Sequence, residues 1–289
     1  MIALDSLPPL TKVIKDFGLL TQKTFSKSLG QNFLLDPGIT DRIVQVAGDL
    51  KECDVIEIGP GPGGLTRSIL KQNPHHLYAL EKDPSCIAAL QSLITASQGH
   101  LSLVERDALK VSLSDMTQYP IKVIANLPYN VGTLLLLKWL KNLERIQTLT
   151  LMFQKEVALR ITAQPGTPDY GRLSILTQYL CHTERIFDLP PKAFIPAPKV
   201  FSSVVHLQPK PLSLKEKTLI PWLEKVTAAA FNQRRKMIRV SLKPLFGEEN
   251  LQEILDKLHL HSTQRPETLT LKDYCALAAF YHNLELSKA

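Results

Sequence analysis

Val55-Ile56-Glu57-Ile58-Gly59-Pro60-Gly61-Pro62-Gly63-Gly64 is the stretch on which the fold turns. Its first four residues read as a short buried strand. The glycines that follow let the backbone turn sharply and approach a ligand with no Cβ in the way. Residues 65–71 then have helical character. Strand, glycine-rich turn and helix together open an α/β sheet that binds ligands beyond the C-terminal ends of its strands. The alternation continues outward. Residues 76–80 form a second strand ending at Glu81, Pro84 suits the start of a helix to about residue 96, and 101–104 form a third strand ending near Asp107. A fourth strand covers 122–125; helices are expected to about 140, to about 161 and over 173–180, with strands near 149–153, 184–187 and 203–207. Such alternation implies a parallel, doubly wound sheet. Pro209 and Pro211 mark a linker and 214–280 has helical periodicity, so two domains are expected, 1–208 and 209–289.

Composition agrees and narrows the classes. The 289 residues suit two domains, and 44% hydrophobic content is ample for packed cores. A formal net charge of +7, with pI ≈ 9.1, favours a polyanionic partner. No apolar run reaches the ~18–20 residues that span a bilayer. The N-terminus has neither a signal-peptide core nor the arginines of a transit peptide, Arg42 being the first arginine. A cytoplasmic location without a membrane partner follows as the expectation. Cys53, Cys86, Cys181 and Cys275 are far apart with no CxxC pair, which suits buried thiols in a reducing compartment. His259 and His261 form the only His-x-His, without Cys or carboxylates at ligand spacing, so no metal site is expected.

The chemistry is carried by residues at the strand ends. Glu81, seventeen residues after Gly64, stands where a carboxylate can hold the two hydroxyls of a ribose. Gly59, Gly61 and Gly64 also satisfy GxGxxG, so NAD and S-adenosylmethionine both remain open on these residues alone. Asp107 can accept from an adenine amino group, or simply cap the next helix. Asn126-Leu127-Pro128-Tyr129 follows the fourth strand. The Asn126 carboxamide oxygen can accept from an amine on a flat ring. Pro128 lacks an N–H and leaves carbonyl acceptors nearby, and Tyr129 offers a face for a base. The same four residues can also be only a turn. Pro60 and Pro62 stiffen a loop that need not wrap a pyrophosphate, and no downstream set suits hydride transfer. Methyl transfer to an amine is therefore favoured over NAD-dependent oxidoreduction.

With these residues assembled, the chain resembles the ribosomal RNA small-subunit adenine dimethyltransferases, also called dimethyladenosine transferases. The resemblance rests on Lys27-Ser28-Leu29-Gly30-Gln31-Asn32-Phe33-Leu34, on residues 57–66, on Glu81, and on Asp107-Ala108-Leu109. It extends through Asn126-Leu127-Pro128-Tyr129-Asn130, Tyr170-Gly171-Arg172-Leu173-Ser174 and Phe194-x-Pro196-x-Pro198-x-Val200-x-Ser202. Arg106 departs from a common glycine, and Met237 and Val240 vary the basic segment. The resemblance implies a Rossmann-like class I methyltransferase sheet with a smaller all-helical C-terminal domain. It implies S-adenosyl-L-methionine held by Asn32, Leu34, Gly59, Glu81, Asp107 and Asn126. The implied catalytic residues are Asn126, Pro128, Tyr129 and Phe194, with Tyr129 and Phe194 sandwiching the adenine; Phe194 can instead be packing. The implied partner is small-subunit ribosomal RNA in a maturing subunit, bound by a monomer and dimethylated at adenosine N6. A non-catalytic assembly factor and a large-subunit adenine methyltransferase are the alternatives.

Residues 232–243 place Arg234, Arg235, Lys236, Arg239 and Lys243 within twelve positions and include no acid. If Phe231, Ile238 and Leu242 face a core, a continuous helix would present these cations to RNA phosphates. A merely solvated face is the other reading.

Overall fold

The computed structural model describes residues 4–20 and 31–287. Lys27–Gly30 of the first motif lie outside the described residues. Two units result from the packing: Met1–Ala158 with Glu184–Pro209, and Leu159–Thr183 with Lys210–Ala289.

In chain order the first stretch forms α1 (Leu10–Asp16), β1 (Phe33–Leu34), α2 (Pro37–Val46), β2 (Asp54–Ile58), α3 (Gly64–Lys71), β3 (His76–Glu81), α4 (Pro84–Ala96) and β4 (Leu101–Glu105). Next come β5 (Ile121–Asn126), α5 (Gly132–Leu140), β6 (Ile146–Gln154), α6 (Lys155–Thr162) and α7 (Arg172–Leu180). Then follow β7 (Cys181–Leu189), β8 (Phe194–Ile195) and β9 (Ser202–Pro209). The main sheet has the order β4-β3-β2-β5-β6-β9-β7. β2 pairs in parallel with both β3 and β5, β3 with β4, and β5 with β6; β9 runs antiparallel to β6. β1 and β8 form a separate antiparallel pair, Leu34 opposite Phe194.

All five residues of β2 are buried, as a central parallel strand covered on both faces requires. Asp83 caps α4 by accepting from Ser85 N at 2.9 Å, and Pro84 fills the first turn, where its missing N–H is harmless. The same device starts α2: Asp36 accepts from Gly38 N at 2.8 Å, with Pro37 next. That helix was not expected from the sequence, although Asp36-Pro37 followed by Thr40, Ile43 and Val44 at helical spacing carried the signal. Because β3 and β5 flank β2 on opposite sides, the sheet's switch point lies at the C-terminal end of β2.

The second unit continues with α8 (Leu214–Asn232), α9 (Ile238–Ser241), α10 (Lys243–Phe246), α11 (Glu248–Lys257) and α12 (Leu271–Leu286). Ser213 with Glu216, and Thr270 with Asp273, form capping boxes at the two long helices. Leu223, Val226 and Ala230 of α8, with Tyr274, Leu277 and Ala278 of α12, are buried. The boundary expected at 208/209 thus needs amending, since Leu159–Thr183 also belongs here. The reason is apolar coverage. α7 is buried almost all round, and its Tyr179 hydroxyl donates to Glu216 O at 2.8 Å. A proline-rich linker marks only one of the places where the chain passes between units. Among the described residues no helix is long and apolar enough to cross a membrane.

Candidate active site

The C-terminal ends of β2, β3 and β5 open into a cleft of about 700 Å³ lined by Asn32, Phe33, Leu34, Gly59, Glu57, Glu81, Asn126 and Tyr129. A second hollow of about 430 Å³ shares Gly59, Glu81, Lys82 and Pro128 with it and extends to Asp107, Ala108, Val131 and Leu135. Two glycines make the cradle possible. Gly61 has φ +55°, and a Cβ there would lie 2.8 Å from the Phe33 ring. A Cβ on Gly64 would collide with the Leu34 carbonyl. The β1 segment therefore sits directly on the glycine-rich turn.

Glu81 ends β3 at the junction of the two hollows. Its Oε1 accepts from Lys82 N at 2.8 Å and Asp83 N at 2.9 Å, and Oε2 accepts from Gly61 N at 3.3 Å. Two carboxylate oxygens offer about four acceptor sites, so capacity remains for a ligand hydroxyl. Burial raises the Glu81 carboxyl above its ordinary value, against the lowering effect of those backbone N–H groups. Gln31 Nε2 donates to Asp83 at 2.7 Å and buttresses the same corner.

Glu57 also lines the cleft; in the sequence it stands out only as a residue of the glycine-rich motif. It is 1% exposed, and burial pushes its carboxyl up to about 8. Its Oε2 and the Thr66 hydroxyl beside it are buried without a hydrogen bond of normal geometry. This orphaned acceptor tests the choice of cofactor. A pyrophosphate would lie beside two carboxyl groups and push Glu57 further up, whereas a cationic group would restore its ionisation. A nucleoside with hydroxyls near Glu81 and a cationic end toward Glu57 fits these two carboxyl groups better than a pyrophosphate does. The raised value has a measurable consequence. A carboxyl raised on folding contributes stability below its ordinary value of 4.5, and that stability is lost as pH rises toward about 8. The wild-type melting temperature should therefore fall relative to that of Glu57→Gln across this window. Parallel pH profiles for the two proteins would exclude this titration.

Asp107 follows β4 and does two things. Oδ1 caps the short turn Ala108–Lys110 by accepting from Leu109 N at 2.9 Å, and Oδ2 lies 3.5 Å from Lys82 Nζ. The Leu109 N–H and then the Lys82 ammonium hold its carboxyl below the ordinary range. The capping alternative is thus true, and Asp107 still lines the second hollow.

Asn126 ends β5 with its Nδ2 donating to Asn32 O at 2.8 Å. That bond turns Oδ1, an acceptor, away from the β1 segment. The carbonyl expected of Pro128 is not available: it accepts from Val131 N at 3.1 Å and Gly132 N at 2.9 Å, which start α5. Two such bonds occupy both lone pairs. Leu127 O, one residue earlier, receives no hydrogen bond among the described residues, and Leu127 lines the same cleft. Tyr129 is half-buried, with its hydroxyl 2.6 Å from Ser202 Oγ. Phe194 is not on the cleft wall. It is 2% exposed and packs in the core with Leu34, its partner across β1–β8, so the packing alternative holds here.

A family model described as ribosomal RNA adenine dimethylase matches residues 22–283 of this chain. The chain belongs to that family. A ribosomal RNA small subunit methyltransferase A from Dinoroseobacter shibae is 48% identical over 281 residues, covering 96% of this chain and 98% of the relative. Its namesake from Rhizobium meliloti is 47% identical over 283 residues, covering 96% and 99%. In structure, a dimethyladenosine transferase from Plasmodium falciparum aligns with TM-score 0.74 at 24% identity, covering 89% of this chain and 98% of that one. The 23S rRNA methyltransferase ErmE aligns with TM-score 0.69 at 24% identity, covering 87% and 100%. Both share the fold, an α/β class I methyltransferase sheet. Membership makes S-adenosyl-L-methionine the cofactor, in agreement with the test on Glu57 and Glu81.

For a ribosomal RNA adenine dimethylase the basic segment is the natural place to look for RNA contacts, and its shape differs from the expected helix. α8 stops at Asn232, residues 233–237 turn, and α9 begins at Ile238. Ile238 N donates to Gln264 O at 2.8 Å and Arg239 N to Ser262 O at 3.2 Å. A continuous helix would need those N–H groups, and cations at i, i+4 such as Arg235 and Arg239 oppose it further. Ile238 and Leu242 are buried as expected, and Phe231 stacks on Tyr274 at 5.8 Å. Arg234, Arg235, Lys236 and Arg239 are exposed, although the Arg234 guanidinium donates to Pro168 O. Lys243 pairs with Glu248 at 2.6 Å.

Proposed function

We propose that this protein transfers methyl groups from S-adenosyl-L-methionine to adenosine N6 in small-subunit ribosomal RNA, giving N6,N6-dimethyladenosine during ribosome biogenesis. It acts as a cytoplasmic monomer on a maturing subunit. The observation that carries the reading is the Asn126 carboxamide, turned by its bond to Asn32 so that Oδ1 is an acceptor at the sheet's switch point.

When bound, S-adenosyl-L-methionine supplies an electrophilic methyl group. Glu81 takes the ribose hydroxyls, Asp107 the cofactor's adenine, and the Asn32–Leu34 segment and Gly59 enclose the remainder. Asn126 Oδ1 and Leu127 O accept the two hydrogens of the target amine. They hold them out of the ring plane, so that the nitrogen lone pair leaves conjugation and points along the transfer direction. This is positioning and electrostatic preorganisation, which needs no general base before transfer. The proton of the methylated amine leaves to water. Tyr129, anchored by Ser202, stacks on the extruded base; stacking accepts any base, so selection of adenine falls to the edge contacts.

The direct test is methyl incorporation from labelled cofactor into immature small subunits, followed by nucleoside analysis. Dimethyladenosine is expected. Binding without incorporation would point to an assembly factor, and incorporation only into large-subunit RNA would move the target.

RNA docking has its own test. Replacing Arg234, Arg235 and Lys236 together by Ala should weaken RNA binding and leave cofactor affinity unchanged. With Arg234 tethered to Pro168, two phosphate contacts are expected, lowering the log–log salt slope by about 1.4–1.8 at ~0.7–0.9 per contact. An unchanged slope and affinity would make this turn a solvated surface.

A further inference from the structure

We propose that Phe201 is a stacking platform for the base that flanks the adenine being methylated; the proposal rests on the RNA-adenine reading above. Three large apolar side chains within seven residues are exposed here: Ile195 at 40%, Val200 at 43% and Phe201 at 48%. No acidic residue occurs between Leu189 and Ser213, and Lys192 and Lys199 are exposed. A surface cluster of apolar groups marks a contact site. An exposed aromatic among cations suits single-stranded nucleic acid, whose bases stack while its phosphates are neutralised.

The placement is what assigns the flanking base. Lys155 N donates to Phe201 O at 2.9 Å, and the next residue, Ser202, pairs with Gln154 and contacts the Tyr129 hydroxyl at 2.6 Å. Successive side chains on a strand point to opposite faces. Ser202 is turned to Tyr129 and Ser203 to Asp188, and the Phe201 ring, just before the strand begins, lies on the Asp188 side. Lys155 Nζ lies there, 5.8 Å from the Phe201 ring centroid and 2.7 Å from Asp188, which also accepts from Ser203 Oγ. Arg185 pairs with Asp188 as well, so two cations face one carboxylate. Across the order β5-β6-β9 Asn126 is level with Met152 and Met152 with Val204, so Phe201 stands two strands over and three residues further along, about 14 Å from Asn126 at ~4.8 Å per strand and ~3.4 Å per residue, and directly beside the Ser202 that holds Tyr129. A base held at Tyr129 therefore has its neighbour across the rim of the sheet, at Phe201. Pro196 and Pro198 stiffen the loop, so little ordering is needed on binding.

Full-length Phe201→Ala, Phe201→Leu and Phe201→Trp separate the possibilities, with immature small subunits as substrate. The Ala and Leu variants should each raise KM for subunits about tenfold, equivalent to about 1.4 kcal/mol. Their kcat and cofactor affinity should match wild type, and Phe201→Trp should restore KM. Leu preserves apolar bulk without a π face, so the Leu–Trp pair decides the matter even if the Ala variant folds poorly. Wild-type KM in Phe201→Leu, or an equal rise in all three, overturns the platform. If the wild-type protein methylates no ribosomal RNA, the parent reading fails instead, and direct subunit binding by the same variants still reads the stack.

Discussion

Asn126→Ala loses about 10²–10³-fold in methyl transfer, while affinity for S-adenosyl-L-methionine changes far less. The magnitude is that of removing one preorganised hydrogen-bonding group from a site where it acts on the reacting atoms. The asymmetry follows from geometry. In the function proposed above Oδ1 accepts from the target amine, whereas Nδ2 only ties the residue to Asn32 O at 2.8 Å. Some loosening of the β1 segment is expected, hence a small effect on the cofactor. Single-turnover methylation at saturating cofactor, beside a binding isotherm, measures the two separately. Wild-type turnover in a variant that binds cofactor normally would remove Asn126 from the chemistry.

Glu81→Ala has the opposite signature, weakening cofactor binding by about 10–10²-fold. A charge-assisted hydrogen bond contributes about 1.5–3 kcal/mol, and each 1.4 kcal/mol is tenfold. The carboxylate also accepts from Gly61, Lys82 and Asp83 N–H groups. Those donors lose their partner in the variant, so a lower melting temperature should accompany the weaker binding. Calorimetry with wild-type affinity would place the ribose contact elsewhere.

Much of the site was legible because its parts are local. The Gly59–Gly64 turn, Glu81 at a strand end, and Pro84 at a helix start each express a constraint among a few consecutive residues. The structure brings Asn32, Leu34, Gly59, Glu81 and Asn126 around one cleft, with Asp107 at the adjoining hollow. Glu57 was visible as a motif residue, but its raised carboxyl was not, because that depends on complete burial.

Local pattern by itself determined the alternating α/β order, the strand-end positions of the acids and of Asn126, and the helical character of the C-terminal segment. Periodicity, capping and glycine freedom act over a few residues, so they are written in the chain. What only the tertiary structure decided involves partners distant in sequence or competition for a hydrogen bond. Phe194 is buried because β8 pairs with β1, and the helix expected over 232–243 breaks because Gln264 and Ser262 take its N–H groups. Pro128 O is occupied because α5 begins where it does, leaving Leu127 O without a hydrogen bond among the described residues, and α7 joins the second unit because its apolar surface is covered there. Each outcome is set by which of several possible partners arrives in space, and spacing along the chain does not encode that.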